Sequence, residues 1–202
     1  MSVIDTEADL RVRYARPSDL VQKKILHRLD RHARAFIALS PFVVLATHGP
    51  DGADCSPRGD APGFVRVEDD TTLLLPDRRG NNLIDSLRNL THSPDIGLLF
   101  MVPGINETLR VNGRARIVSE AARLEPMAVQ GKVPASALEI AVREVFFHCG
   151  KALIRSDLWN PERHVERSSF PTLGRIVADQ IAGIDAAAAD ANLEESYRTR
   201  LY

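Results

Sequence analysis

The sequence predicts a mainly β protein with α elements, built as a small antiparallel barrel with helices packed over its ends. Three observations carry that expectation. At least six short segments of strand character follow one another with short connections between residues 42 and 154. The first two flank His48-Gly49-Pro50-Asp51-Gly52, a turn that requires an antiparallel hairpin. The regular strand–helix alternation of a parallel sheet is missing, as is any G-x-G-x-x-G or G-x-x-x-x-G-K-S/T string.

Residues 1–16 are polar and are expected to be loosely attached. A first helix is signalled by Ser18, a capping residue, followed by Leu20, Val21, Ile25, Leu26 and Leu29. A second runs from about Arg31 to Leu39 with Ala33, Phe36 and Ile37 on its apolar face, and Ser40-Pro41 ends it. Phe42 to Thr47 reads as a strand. Ala53 to Ser56 starts the next, Pro57 to Gly63 interrupts it, and Phe64 to Val67 resumes extended structure. Thr71 to Leu75 is a further strand closed by Pro76-Asp77. Arg79 to Asn89 reads as a short helix with Leu83, Ile84 and Leu87 on its buried side.

Ile96 to Val102 is a nearly all-apolar strand. Thr108 to Ile117 alternates, so Leu109 and Val111, with Ala115 and Ile117, share one face. Helices are expected over residues 119–130 and 134–144, and a last long strand over Val145 to Ile154. From Leu173 the stripe Ile176, Val177, Ile181 and Ile184 predicts a helical tail that docks on the body or on a partner subunit. The expected organisation is an N-terminal helical extension over 1–40, the barrel domain over 41–172 and a C-terminal helical tail over 173–202.

Composition narrows the function. The chain has 202 residues, enough to bury a full core, and a formal charge of -1. That balance argues against a general nucleic-acid binder and against attachment to an acidic membrane, while leaving room for a local basic pocket. Two cysteines, Cys55 and Cys149, cannot build a disulfide scaffold or a four-cysteine metal site. Residues 1–16 carry Asp5, Glu7, Asp9, Arg11 and Arg13 with no apolar region after them, and no stretch reaches the roughly 18 apolar residues of a membrane span. The expectation is a cytoplasmic protein with reduced thiols.

The residues with chemical potential cluster between 54 and 90. Ser56-Pro57-Arg58-Gly59-Asp60 and Leu75-Pro76-Asp77-Arg78-Arg79-Gly80-Asn81-Asn82 each combine arginine, a glycine turn and small polar donors. On neighbouring strands they form one pocket edge. Arg78 and Arg79 then precede the helix expected near Gly80, whose free N–H groups attract anions, and the pocket suits a phosphate. Asn81 and Asn82 cap the helix or donate to the same group. The same strings also read as ordinary solvated turns. Arg110, Arg114 and Arg116, with Asn112, share a strand face that is either solvated or set against an anion or a second subunit. Trp159 either covers a planar ligand or fills a core gap, and Lys151 on the last strand is a further contact or a solvated charge. Hydrolytic readings lack support: there is no G-x-S-x-G elbow and no H-E-x-x-H, and His148 and Cys149 point to opposite faces of a strand.

Four strings together carry a resemblance. Phe42–Thr47 with Asp51-Gly52-Ala53-Asp54-Cys55-Ser56-Pro57-Arg58-Gly59-Asp60 is similar to the pyridoxamine 5′-phosphate oxidase-like, FMN-binding split-barrel superfamily. So are Leu73 to Asn82, Leu109 to Ala115, and His148-Cys149-Gly150-Lys151-Ala152-Leu153-Ile154-Arg155-Ser156 with Leu158-Trp159. The likeness runs from about residue 30 to 165.

It implies a split β-barrel homodimer with two FMN sites at the interface. It also implies an FMN-dependent oxidoreductase acting on a small-molecule substrate, with no acid or base singled out and no metal. By the resemblance Ser56, Pro57 and Arg58 pass the flavin ring, the backbone of Leu75 and Pro76 lies beside it, and Arg78, Arg79, Asn81 and Asn82 hold the phosphate. Arg110 and Asn112 reach the flavin across the dimer, and Trp159 contributes from the other subunit. The stretch Asp77-Arg78-Arg79 departs from the Ser-Arg-Lys type of the oxidase proper. The C-terminal Arg-x-His-Asp-Arg-like substrate segment has no counterpart beyond the superficial Pro161-Glu162-Arg163-His164, so pyridoxamine phosphate is a poor candidate substrate. The alternatives are a flavin-binding sensor or store without turnover, and a barrel that uses a deazaflavin or haem.

Overall fold

The computed structural model describes residues 3–202. Its elements in chain order are α1 (Glu7–Arg13), α2 (Asp19–Lys23), α3 (Arg31–Leu39), β1 (Phe42–Gly49), β2 (Gly52–Gly59), β3 (Arg66–Val67), β4 (Thr72–Pro76), α4 (Asp85–His92), β5 (Asp95–Met101), β6 (Thr108–Val118), α5 (Ala121–Leu124), β7 (Ala137–His148), α6 (Lys151–Ser156), α7 (Leu173–Gln180) and α8 (Ala186–Thr199).

The seven strands form one sheet in the order β2-β1-β5-β6-β7-β4-β3, and every pairing is antiparallel. The sheet is open, which overturns the expected split barrel: the fold is mixed α and β around an unclosed sheet. Its two ends, β2 and β3, do not pair with each other among the described residues. The physical reason lies in those ends. β2 carries Pro57, which has no N–H to give a further neighbour and is tolerated on an edge. β3 is two residues long and offers almost no ladder. Helix α4 packs on β1 and β2 beside the first of these ends.

The main core lies under one face of the sheet. Leu29, Ala33, Phe36 and Ile37 from the α3 region and Leu90 of α4 pack with Val43, Leu45, Leu73, Leu75, Phe100, Leu109, Val111 and Ile140. A smaller cluster of Leu74, Val118, Leu124, Met127 and Ala137 is separate from it. Successive strand residues face opposite ways, so the buried run Leu73-Leu74-Leu75 divides between the two clusters.

Several elements differ from expectation for local reasons. Residues 1–16 include α1, capped by Thr6, although none of its residues is buried; Met1 and Ser2 lie outside the described residues. Ser18 does cap α2, but that helix ends at Lys23, and Leu26 exchanges backbone hydrogen bonds with Val145 of β7. The strand interrupted at Pro57 is continuous to Gly59, as an edge position allows. The helix expected from Arg79 begins six residues later, because Asn82 (φ 62°) and Ile84 (φ 53°) are left-handed. Leu83 and Ile84 are accordingly exposed.

The helix expected over 134–144 is the first part of β7, where Leu138, Ile140 and Val142 alternate into the core between β4 and β6. The strand expected to reach Ile154 ends at His148, and Lys151 starts α6 instead. Ile117 is exposed while Val118 is buried, so the alternation of β6 does not carry through to its end. No helix among the described residues is long and apolar enough to cross a membrane.

Candidate functional site

A cleft of about 1160 Å³ lies between the edge strand β2, the segment from the end of β4 to the start of α4, and the turn before β7. The sheet order puts β2 and β4 far apart in the ladder, so they are not the neighbouring strands expected, yet both border this one space. Ser56, Pro57, Arg58, Pro76, Arg78, Arg79, Asn81 and Asn82 all line it. Leu75 does not: it is 1% exposed and belongs to the core.

β2 presents Ser56 and Arg58 on one face, since they pair with Leu45 and Val43, while Pro57 pairs with Val44 on the other. Arg58 is held entirely by neutral oxygens. It donates to Ser56 Oγ at 2.9 Å, to the Pro57 carbonyl at 2.9 Å and to Ser86 Oγ at 3.3 Å. Ser86, buried in the first turn of α4, lies 3.0 Å from Ser56 Oγ and donates to Asp54 at 3.4 Å. Beyond them stands Asp77, where β4 ends. Burial pushes its carboxyl above the ordinary value, and the Arg58 charge opposes that only in part.

Arg78 and Arg79 are adjacent in sequence and differ in state. Arg78 donates through Nε to Asp60 at 2.7 Å and through a terminal nitrogen to the Met127 carbonyl at 2.8 Å. The Asp60 carboxylate, 2% exposed, also accepts from the Ala61 amide at 2.7 Å and the Tyr202 hydroxyl at 2.8 Å. Burial works to raise its pKa, yet the hydrogen bonds from Ala61, Tyr202 and Arg78, with the Arg78 charge, hold it below the ordinary carboxylate value. Arg79 sits at the exposed rim. Lys132 faces the same space from a tight turn in which Gln130 (φ 51°) and Gly131 (φ 74°) are left-handed. Among the described residues no carboxylate lies within ion-pair reach of Arg58, Arg79 or Lys132. Asn81 accepts from the Leu83 amide at 3.0 Å, so it shapes the rim rather than capping a helix. Asn82 tolerates its left-handed backbone better than most residues would.

The remaining candidates lie elsewhere. Arg110 and Asn112 stand on β6 on the face away from the main core, and both reach Glu144, at 2.5 Å and 3.3 Å. Arg110 also lies over the Phe146 ring at 5.4 Å. Nearby His148 is held below the ordinary histidine value by burial, and then by the charges of Arg110 and Lys24. Trp159 follows helix α6, not a strand, and its Nε1 donates to the Ile105 carbonyl at 2.9 Å. None of these three candidates lines the cleft.

Ser86, Lys132 and Tyr202 were missed by sequence reasoning. Lys132 carried one signal, its place in a Gln-Gly-Lys turn; Ser86 and Tyr202 carried none. The described residues hold no group of three or more His, Cys, Asp or Glu able to bind a metal. What the cleft offers is space for a ligand of nucleotide size and three cations without carboxylate partners.

No curated protein matches the chain. Among solved structures, HupZ from Group A Streptococcus matches at 19% identity over 59% of this chain and 93% of its own, with a TM-score of 0.49. An FMN-binding protein from Syntrophomonas wolfei matches at 12% identity over 65% and 87%, with a TM-score of 0.46. A protein from Clostridium acetobutylicum related to general stress protein 26 matches at 14% identity over 58% and 85%, with a TM-score of 0.44. The model of the pyridoxamine 5′-phosphate oxidase family matches residues 29–149, which span α3, the whole sheet and the three walls of the cleft. By that match over more than half its length, the chain belongs to the pyridoxamine 5′-phosphate oxidase family.

Proposed function

We propose that the chain is an FMN-dependent oxidoreductase that binds the cofactor in this cleft and acts on a small-molecule substrate. One observation carries the reading: Arg58, Arg79 and Lys132 line a single cleft of sufficient size, and among the described residues none of them has a carboxylate within ion-pair distance. A cation left unpaired at a cavity wall favours an anionic ligand, and a phosphate accepts charge-assisted bonds from all such groups.

Arg79 and Lys132 then hold the phosphate at the rim. Arg78 orders the wall and offers the edge of its guanidinium that Asp60 and Met127 leave free. Asn81 and Asn82 set the backbone of the same rim. Ser56, Pro57 and Arg58, with Pro76, flank the ring. When bound, FMN supplies reversible hydride and electron transfer. The protein's part is to orient the ring, place the Arg58 charge beside it and exclude water. Asp77, whose carboxyl is held above its ordinary value by burial, is a protonatable group in the same wall.

Arg110, Asn112 and Trp159 enter this reading through a second copy of the chain. They lie off the cleft of their own protomer, and Arg110 and Asn112 stand on the sheet face away from the main core, where a homodimer would bring them to the partner's ligand. The haem alternative is less favoured. No His, Cys or Met lines the cleft among the described residues, and the phenol of Tyr202 is engaged by Asp60.

The test is titration of purified protein with FMN, followed by flavin fluorescence. Saturable binding is expected, with Arg79→Ala and Lys132→Ala each weakening it by about tenfold, the size of one charge-assisted bond. Unchanged affinity in both variants overturns the phosphate assignment. Bound flavin that NADH or NADPH cannot reduce removes the enzyme reading for those donors and favours the sensor.

A further inference from the structure

The tail beyond residue 164 is joined to the rest of the protein in an unusual way. Helices α7 and α8 are fastened to each other: Asp190 accepts from the Gly174 amide at 2.8 Å and from the Thr172 hydroxyl at 2.6 Å. A Cβ at Gly174 would meet Asp190 and Ala186 at 2.5–2.6 Å, so the two helices touch backbone to backbone there. No residue of 165–202 belongs to either core cluster. Among the described residues, one hydrogen bond and no ion pair join 165–202 to the residues before it. That bond runs from the Tyr202 hydroxyl to Asp60 Oδ1, at 2.8 Å. The Arg78 guanidinium lies over the Tyr202 ring, 5.7 Å from its centre. The single polar tether is therefore inside the cleft, where Tyr202 and Phe64 are the aromatic residues of the lining.

We propose that residues 165–202 form a hinged arm, and that Tyr202 at its tip is a ligand-contacting residue that closes the cleft once a ligand has entered. The physical basis is the contrast between the two attachments. The body is held by the sheet ladder and a continuous core, whereas the arm is held at its tip by one bond to a carboxylate and one cation–π contact. Such an attachment opens locally without disturbing the rest of the fold. Because the latch is built on Asp60 and Arg78, opening it also frees the ring of Tyr202 from the wall that faces the ligand. Trp159, for which covering a planar ligand is one of the two expectations, is held by Ile105 outside the cleft, and within the same chain Tyr202 is the residue placed to cover a ligand. The choice of probe ligand rests on the FMN reading; the arm and its latch do not.

Tyr202→Phe separates the two claims, since it removes the hydroxyl and keeps the ring. The first measurement uses no ligand: the rate at which trypsin cuts the full chain after Arg167, Arg175 and Arg198. Loss of a hydrogen bond to a charged group raises the open population about ten- to hundredfold, and cleavage in the variant is expected to accelerate by that factor while the body stays intact. Equal rates in the two proteins overturn the latch. The second measurement is stopped-flow mixing with FMN. Both the association and the dissociation rate constants are expected to rise roughly tenfold in Tyr202→Phe, with a smaller change in their ratio, as a gate requires. Tyr202→Ala, which also removes the ring, is expected to raise dissociation further. Rate constants equal to wild type in both variants overturn the closing role. If wild-type protein takes up no FMN, the cofactor reading of the cleft falls, and the cleavage comparison alone decides the arm.

Discussion

Two arginine-bearing strands of this sheet, β2 and β6, show how one residue type comes to mean different things. Arg58 on β2 and Arg110 on β6 are both partly buried, and each projects from a strand with a small polar neighbour two positions away. Arg58 is held by two serine hydroxyls and a carbonyl. Arg110 is paired with the Glu144 carboxylate and stacked on Phe146. Neutral acceptors fix the guanidinium without cancelling its charge, so Arg58 keeps its field directed into the cleft. A carboxylate cancels most of that field at short range, so Arg110 has little left for a ligand of its own protomer. The same distinction separates Arg78, spent largely on Asp60, from Arg79 next to it. A charge available for binding is recognised by the neutrality of the groups that orient it.

Arg58→Ala is expected to lower FMN affinity by about ten- to hundredfold, equivalent to roughly 1.5–3 kcal/mol for a charge-assisted contact. Fluorescence titration measures it, and a loss smaller than threefold would show that the charge of Arg58 is not used. Ser86→Ala removes one orienting oxygen and leaves the charge in place; a loss of about fivefold, near 1 kcal/mol, is expected in the same titration. Arg110→Ala is expected to cost about threefold, and only at protein concentrations where sedimentation shows a dimer. An equal loss in the monomer would contradict a contact made across two copies.

The smallest effect concerns stability. The folded pKa of Asp60 lies below its ordinary value of 3.8, so its bonds contribute fully above that value and are lost as pH falls through the lower folded value. Thermal melts of Asp60→Asn are therefore expected to show a flatter decline than wild type as pH falls below about 4. Parallel curves would mean that Asp60 carries no such linkage.

Much of this was legible in the sequence, in a selective way. β1 and α3 were read nearly to the residue because each carries its own punctuation, Ser40-Pro41 between them and the His48–Gly52 turn after. Two walls of the cleft were read because their residues are contiguous, over 56–58 and 76–82. β7 was misread in its first half because Ala137, Glu139, Ala141 and Glu144 favour helix, while the strand is imposed by β4 and β6 on either side. Closure of the sheet was misjudged because the number of strands is a local property and the pairing of its ends is not. Lys132 and Tyr202 reach the cleft from segments distant along the chain, and nothing in the sequence of β6 reveals that Glu144 stands opposite Arg110. Local composition reveals which groups carry charge; only the folded arrangement reveals which of them already have a counterion.

Ile84 is a β-branched residue held at φ 53°, half exposed, at the entrance to α4. That conformation costs a branched side chain about 1–2 kcal/mol, a tension kept beside the opening rather than relaxed. Glycine or asparagine at this position would discharge it, and engineers seeking a sturdier scaffold would gain thermal tolerance there by changing one apolar side chain of the cleft lining.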